Sequence, residues 1–320
     1  MRCIDPGNTL RRHGHALLSA AALSASLVAP AYPATLDANV IGEASGATAS
    51  VMPDGVVRIG WMRTDVAVVV DGMGLPPAAG LASWAAFAPM RIGALLMGDT
   101  VVFEDEVDAA MDAAFASGLS VTAIHNHFFH DTPRVYFMHI SGRGSSRSLA
   151  AGVGSVWAAI RGVRTARLLP ATSFGGPVPA AGRINAAAIS NLIGQPAVDV
   201  QGVAKVTIGR STTMQGLAAG ASMGVTTWAA FSGTDELAAI DGDFAMTSAE
   251  VQPVLRALRR SGIHVVALHS HMTGEHPGLY FAHFWATGKA EDLAKGLRRA
   301  LDAQSAVKMR KAHSIASLPD

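Results

Sequence analysis

The chain contains itself twice, and whatever it folds into has to satisfy that. Shifted by 144 residues, Ala82–Trp157 overlays Thr226–Leu301 without a gap. Trp84, Ala85, Ala86 and Phe87 meet Trp228, Ala229, Ala230 and Phe231. Gly98-Asp99 meets Gly242-Asp243, Glu106-Val107 meets Glu250-Val251, and Gly118 meets Gly262. Upstream Gly72 meets Gly216 at the same shift, and a small change of offset then pairs Arg63 with Arg210. The repeat predicts two units of one fold, residues 35–165 and 183–303, joined by a Pro/Gly-rich connector at 166–182 and followed by a tail at 304–320.

Each unit reads as mixed α+β. In the second copy Val225–Phe231 and Leu237–Met246 have strand composition. Thr247-Ser-Ala-Glu250 is a capping box, whose hydroxyl and carboxylate satisfy free amides of a first helical turn. Val251, Val254, Leu255 and Leu258 then line one helical face, and Gly262 ends it. Ile263–His271 and Gly278–Trp285 read as two strands around a turn at Gly274–Pro277, before a last helix from about Ala290 to Ala303. In the first copy Val107, Met111, Ala114 and Phe115 form the equivalent stripe. This order suggests a tandem duplication of a ferredoxin-like α/β sandwich unit, the two packed about a pseudo-two-fold axis.

Residues 1–34 read as a secretory signal. Arg2, Arg11 and Arg12 precede an apolar, small-residue run from Ala16 to Ala31, and Ala29-Pro30-Ala31 is a small-x-small cleavage site. A periplasmic or secreted location follows. Cleavage would remove Cys3, the sole cysteine, so export brings no disulfide. Half the residues are apolar and 15% charged, which excludes disorder. A net charge of +1 without a basic run gives no footprint for nucleic acid. The long uncharged stretches are broken by Gly, Pro, Ser and Thr, so no transmembrane span is expected in the mature chain.

Six of the 12 histidines form two matching triads: His125, His127, His139 and His269, His271, His283. Residues i and i+2 of a strand share a face, so His125 and His127 project together. With the turn centred near Thr132, His125 falls opposite His139 and Phe137 opposite His127. Three neutral imidazoles facing one point suit Zn²⁺ or another transition metal. Asp131 and Glu275, at matching turn positions, are candidates to complete each set, and Glu106 and Glu250 match as well.

Other matched residues read as structural. Trp84/Trp228, Phe87/Phe231 and Phe137/Phe281 suit a core, and Tyr136 and Tyr280 point away from the histidines. Asp99 and Asp243, each following glycine, read as turn residues. Glu106 and Glu250 sit in a first helical turn, and Arg63 and Arg210 are candidates to hold an anionic ligand but suit surface ion pairs better. The histidine hairpins, His125-Asn-His127…Pro133…His139 and His269-Ser-His271…Pro277…Tyr280-Phe-Ala-His283-Phe-Trp, resemble those of the LppY/LpqO family of bacterial envelope proteins. The SWAAF segment and MTSAEVQPVLRALRRSGI add to the resemblance, which covers essentially the whole mature chain and implies an exported protein.

Three functions are compatible with these residues. The leading one is binding of a metal ion or small polar ligand by the paired hairpins. The second is a metal-assisted hydrolase or lyase of the envelope, with Glu106 or Glu250 as base. The third is a non-catalytic module contacting a cell-wall component, with structural histidines.

Overall fold

The computed structural model describes residues 35–316, with side chains through residue 307. The export signal expected at residues 1–34 therefore lies outside the described residues. Within them the duplication holds element for element. The first copy runs α1 (Ala38–Ser45), β1 (Ala49–Val51), β2 (Val57–Met62), β3 (Val69–Val70), β4 (Met73–Gly74), β5 (Ala82–Pro89) and β6 (Ala94–Phe103). It continues through α2 (Val107–Ala116), β7 (Ser120–Asn126), β8 (Asp131–Thr132), β9 (Val135–Gly144) and α3 (Ser146–Ala166). The second copy repeats this order as α4 (Ala186–Ile193), β10 (Ala197–Val200), β11 (Val203–Gly209), β12 (Thr212–Met214), β13 (Leu217–Ala219) and β14 (Thr226–Gly233). There follow β15 (Ala238–Thr247), α5 (Ser248–Arg260), β16 (His264–His269), β17 (Glu275–His276), β18 (Leu279–Gly288) and α6 (Ala290–Ala316).

Local chemistry explains the boundaries. The Asp37 carboxylate caps α1 and the Asn185 side chain caps α4, and Gly46 and Gly194 end those helices in the left-handed conformation. The capping box of Thr247 and Glu250 opens α5 as the sequence predicts. The last helix does not stop at Ala303. Gln304 is buried and donates to the Ala245 carbonyl at 2.9 Å, so the segment read as a tail begins as helix packed on the sheet.

Twelve strands form one sheet in the order β1-β2-β5-β6-β9-β7-β16-β18-β15-β14-β11-β10. The two halves meet at β7 and β16, which run antiparallel with Ile124 opposite Leu268. Those residues are equivalents in the repeat, so the pairing is that of a local two-fold. One face carries the main core. Leu96, Val102, Met138 and Ile140 of the first copy, and Ile240, Phe244, Ala282 and Phe284 of the second, point there beneath the helical stripes. On the opposite face two small sheets, β4-β3-β8 and β13-β12-β17, cover lesser clusters around Phe103/Phe137 and Phe281/Leu279.

Candidate functional site

The histidine triads lie on this second face, one in each copy. Each is placed by a β-bulge. Val121 and Ile124 both point into the main core although three residues apart, because an extra residue is inserted between Val121 and Ala123. The same irregularity falls between Val265 and Ala267. Beyond the bulge, His125 and His269 turn to the open face.

The strand register corrects the sequence reading. His125 stands opposite Phe137, not His139, and His139 is flanked by Ala123 on one side and Asp99 on the other. In the second copy His269 stands opposite Phe281, with His283 between Ala267 and Asp243. The turn is not a symmetric hairpin, because Asp131–Thr132 and Glu275–His276 leave it to pair with β3 and β12. A shift of two residues preserves the face, so the histidines still gather. The alanine beside each His139 or His283 leaves space for the diagonal neighbour. His125 Nε2 approaches His139 Nε2 to 2.9 Å. Ring centroids of His125 lie 5.1 Å from His127 and 5.0 Å from His139, and those of His269 lie 5.1 Å from His271 and 5.0 Å from His283. His127 and His271 stack on Phe137 and Phe281.

Asp99 and Asp243 are not turn residues. Both stand mid-strand, buried, with their carboxylates beside the imidazoles: Asp99 Oδ1 is 3.8 Å from His139 Nε2, and Asp243 Oδ2 is 3.3 Å from His271 Nε2. The preceding glycine serves close packing. A Cβ at Gly98 would come within 3.1 Å of the Trp84 carbonyl oxygen, and one at Gly242 within 2.3 Å of that of Trp228. Sequence reasoning missed these aspartates; their retention in both copies was the available signal. Oδ1 of Asp99, Oδ1 of Asp243 and Nδ1 of His269 are buried without a hydrogen-bond partner among the described residues. Burial holds the His127 and His269 imidazoles below their ordinary pKa, with neighbouring imidazoles adding to the effect. Burial pushes the Asp243 carboxyl up, against the opposing pull of His283, His271 and His269. Among the described residues, no group of three or more His, Cys, Asp or Glu closes around one ion position as the side chains stand.

The other carboxylate candidates are engaged elsewhere. Asp131 and Glu275 fold back on the turn, accepting from the Val135 and Leu279 amides at 2.6 and 3.0 Å. Glu106 is fully buried and paired with Arg63 at 2.8 Å and Arg164 at 2.6 Å. Glu250 pairs with Arg210 at 2.7 Å and accepts from the Thr247 amide at 2.8 Å. Neither glutamate is a base for the histidine face, and the two arginines are not surface residues. Trp84 and Trp228 are not core either; they lie half-buried beneath Arg58 and Lys205, with the cation 4.8 and 5.2 Å from the ring centroid. Tyr136 packs toward the main core, away from the histidines.

The fold and paired sites define a duplicated α+β protein with two equivalent polar clusters on one sheet face. The chain belongs to the family described as Domain of Unknown Function (DUF1259), whose model matches residues 39–159 and again 187–303. No curated protein matches. Among solved structures, a trimeric bacterial microcompartment shell protein, PduB, and EtuB from Clostridium kluyveri each align over 82% of this chain and 92% of their own. Their identities are 8% and 9% and each TM-score is 0.19, so the likeness carries no inference.

Proposed function

We propose that each copy binds a divalent transition-metal ion of the zinc class. Its ligands are the three imidazoles and the facing aspartate: His125, His127, His139 and Asp99 in one copy, His269, His271, His283 and Asp243 in the other. The observation that carries this reading is the orphaned carboxylate oxygen. Asp99 Oδ1 and Asp243 Oδ1 are buried without a donor at equivalent positions, each beside three histidines. A buried carboxylate oxygen without a partner is costly, and a cation shared with neutral imidazoles removes that cost. The burial that lowers the His127 and His269 pKa values favours the neutral imidazole, which is the ligand form. The backbone register already gathers the histidines and the facing aspartate on one face of the sheet, and the imidazoles are at least partly exposed.

The wider reading is an exported bacterial envelope protein of the LppY/LpqO type, its first 34 residues a cleaved signal. We read each unit as a ferredoxin-like sandwich whose chain starts one strand early. The strands β5-β6-β9-β7 lie in the order such a sheet takes, and β6-α2-β7 makes the split βαβ.

The test is titration of metal-free purified protein with Zn²⁺ by calorimetry and elemental analysis. Two ions per chain are expected. Asp99→Asn with Asp243→Asn, which keep the shape and remove the charge, should weaken binding by at least about tenfold at each site. His269→Ala with His271→Ala should leave one ion. Binding no stronger than that of a variant lacking all six histidines overturns the proposal.

A further inference from the structure

The seam between the copies is closed on one side and open on the other. On the closed side the Gln252 amide reaches across to Val121, donating to its carbonyl at 2.6 Å and accepting from its N–H at 3.1 Å. On the open side the equivalent residue is Asp108, which bonds His264 and Arg259 instead. A cavity of about 430 Å³ remains there, within the size range of small-molecule sites. The connector roofs it: Ala171 N–H donates to Asp105 at 3.0 Å, and Phe174 stacks on His264 with centroids 3.7 Å apart.

We propose that this cavity binds a small organic amine with a flat apolar body. Its walls are Tyr136, Phe174 and Trp285, with Val178 and Val266 at the rim. Glu104, Asp105 and Asp108 supply carboxylates, and no Lys or Arg is among the lining residues. Arg164 and Arg259 neutralise Asp105 and Asp108 only in part, because Arg164 is shared with Glu106 and Arg259 with Asp112. An ammonium donates to the carboxylates while its ring lies against the aromatic walls, where the π faces favour a cation as well. The features that shape this ligand class occur at only one of the two equivalent places along the seam. Asp105, Asp108, His264 and Trp285 correspond to Ala249, Gln252, Ser120 and Ser141. The mirror position therefore lacks the carboxylates and the indole, keeping only Tyr280 as the equivalent of Tyr136.

The test is calorimetric titration of the full chain with tryptamine and phenethylamine, in EDTA so that the histidine clusters take no part. Indole-3-acetate and 3-phenylpropionate serve as charge-reversed controls. One saturable site per chain is expected, with the acids at least about tenfold weaker than the amines. Phe174→Ala, on the exposed connector, and Glu104→Gln should each weaken the amines by about tenfold without unfolding the chain. Absence of saturation by both amines up to ~10 mM, acids binding as well as amines, or unchanged binding in Phe174→Ala overturns the proposal.

Discussion

The two histidine clusters stand on one register, yet their surroundings have diverged. In the first copy the residues beside the cluster on the open face are Met97 and Ser141; in the second they are Asp241 and Trp285. Met97 is exposed and apolar, whereas Asp241 lies with His283, Trp228 and Trp285 along a shallow cavity reached by Phe174 of the connector. The imidazoles respond differently. His125 and His139 contact each other at 2.9 Å, while His271 turns to Asp243 at 3.3 Å and His283 Nδ1 lies 3.3 Å from the Gly242 carbonyl oxygen. A duplicated scaffold thus keeps the three histidines and the facing aspartate and changes the field around them. On the proposed reading, the second cluster, with Asp241 nearby, is expected to hold a cation more tightly than the first.

The sharpest contrast between the copies lies under the helices. Glu106 holds Arg63 at 2.8 Å through both guanidinium nitrogens, Arg164 at 2.6 Å and the Phe103 amide at 2.9 Å. Glu250 holds Arg210 at 2.7 Å, with the Gln304 amide at 3.2 Å where the first copy has a second arginine. Removing Glu106 takes the shared anion from buried Arg63 and Arg164, which keep Asp65 and Asp105, so the loss falls near the lower end of the ~3–5 kcal/mol that breaking a buried ion pair costs. Glu250→Ala loses a cap and one partly exposed pair, at about 1–3 kcal/mol. Urea denaturation of the two variants should show Glu106→Ala as the larger loss. Equal losses would mean the two clusters are energetically the same.

Gly98 and Gly242 give a smaller contrast of the same kind. A Cβ at position 242 meets a backbone oxygen at 2.3 Å and the Phe284 ring at 2.4 Å, whereas at position 98 the nearest atoms are at 3.0 and 3.1 Å. Gly242→Ala should cost about 1–3 kcal/mol as overpacking of the β14–β15 approach, and Gly98→Ala less. Thermal melts of both variants check the order. A larger drop for Gly98→Ala would show that the first copy is the more tightly packed.

Much of this is legible in the sequence alone. Repetition exposed the duplication, and the apolar stripe Val251, Val254, Leu255, Leu258 with its capping box placed α5 within a residue of Ser248–Arg260. The shared face of the histidines survived a register error because a shift of two does not change the side of a strand. What stayed hidden has physical causes. Gly-Asp is turn chemistry in isolation, and only the close approach of β5 to β6 and of β14 to β15 shows why glycine precedes an aspartate mid-strand. A bulge leaves no mark on strict alternation until a partner strand is present. Arg63 reads as a surface charge in sequence because only Asp65 is close by, whereas Glu106, the fully buried anion that shares it, lies 43 residues away. The meeting of Ile124 with Leu268 depends on where two symmetric edges touch, which no local pattern encodes.

The smallest expected difference is an acid limb belonging to the second copy. Burial works against ionisation of the Glu250 carboxyl, but the Thr247 N–H and the Arg210 guanidinium outweigh it, and its pKa falls below the ordinary carboxylate value. The unfolded chain, with a glutamate near pKa 4.3, then takes up its proton at a higher pH than the folded one. The stabilisation from Glu250 is complete above that value and disappears as pH falls through the folded pKa. Stability measured by urea midpoints from pH 6 downward to about pH 3 should decline in the parent chain, and Glu250→Gln should decline less steeply below about pH 4.3. Because Gln keeps an amide oxygen for the Thr247 N–H, the variant separates the charge from the cap. An unchanged slope would assign the acid sensitivity of this copy to other carboxylates and leave Glu250 with a capping role alone.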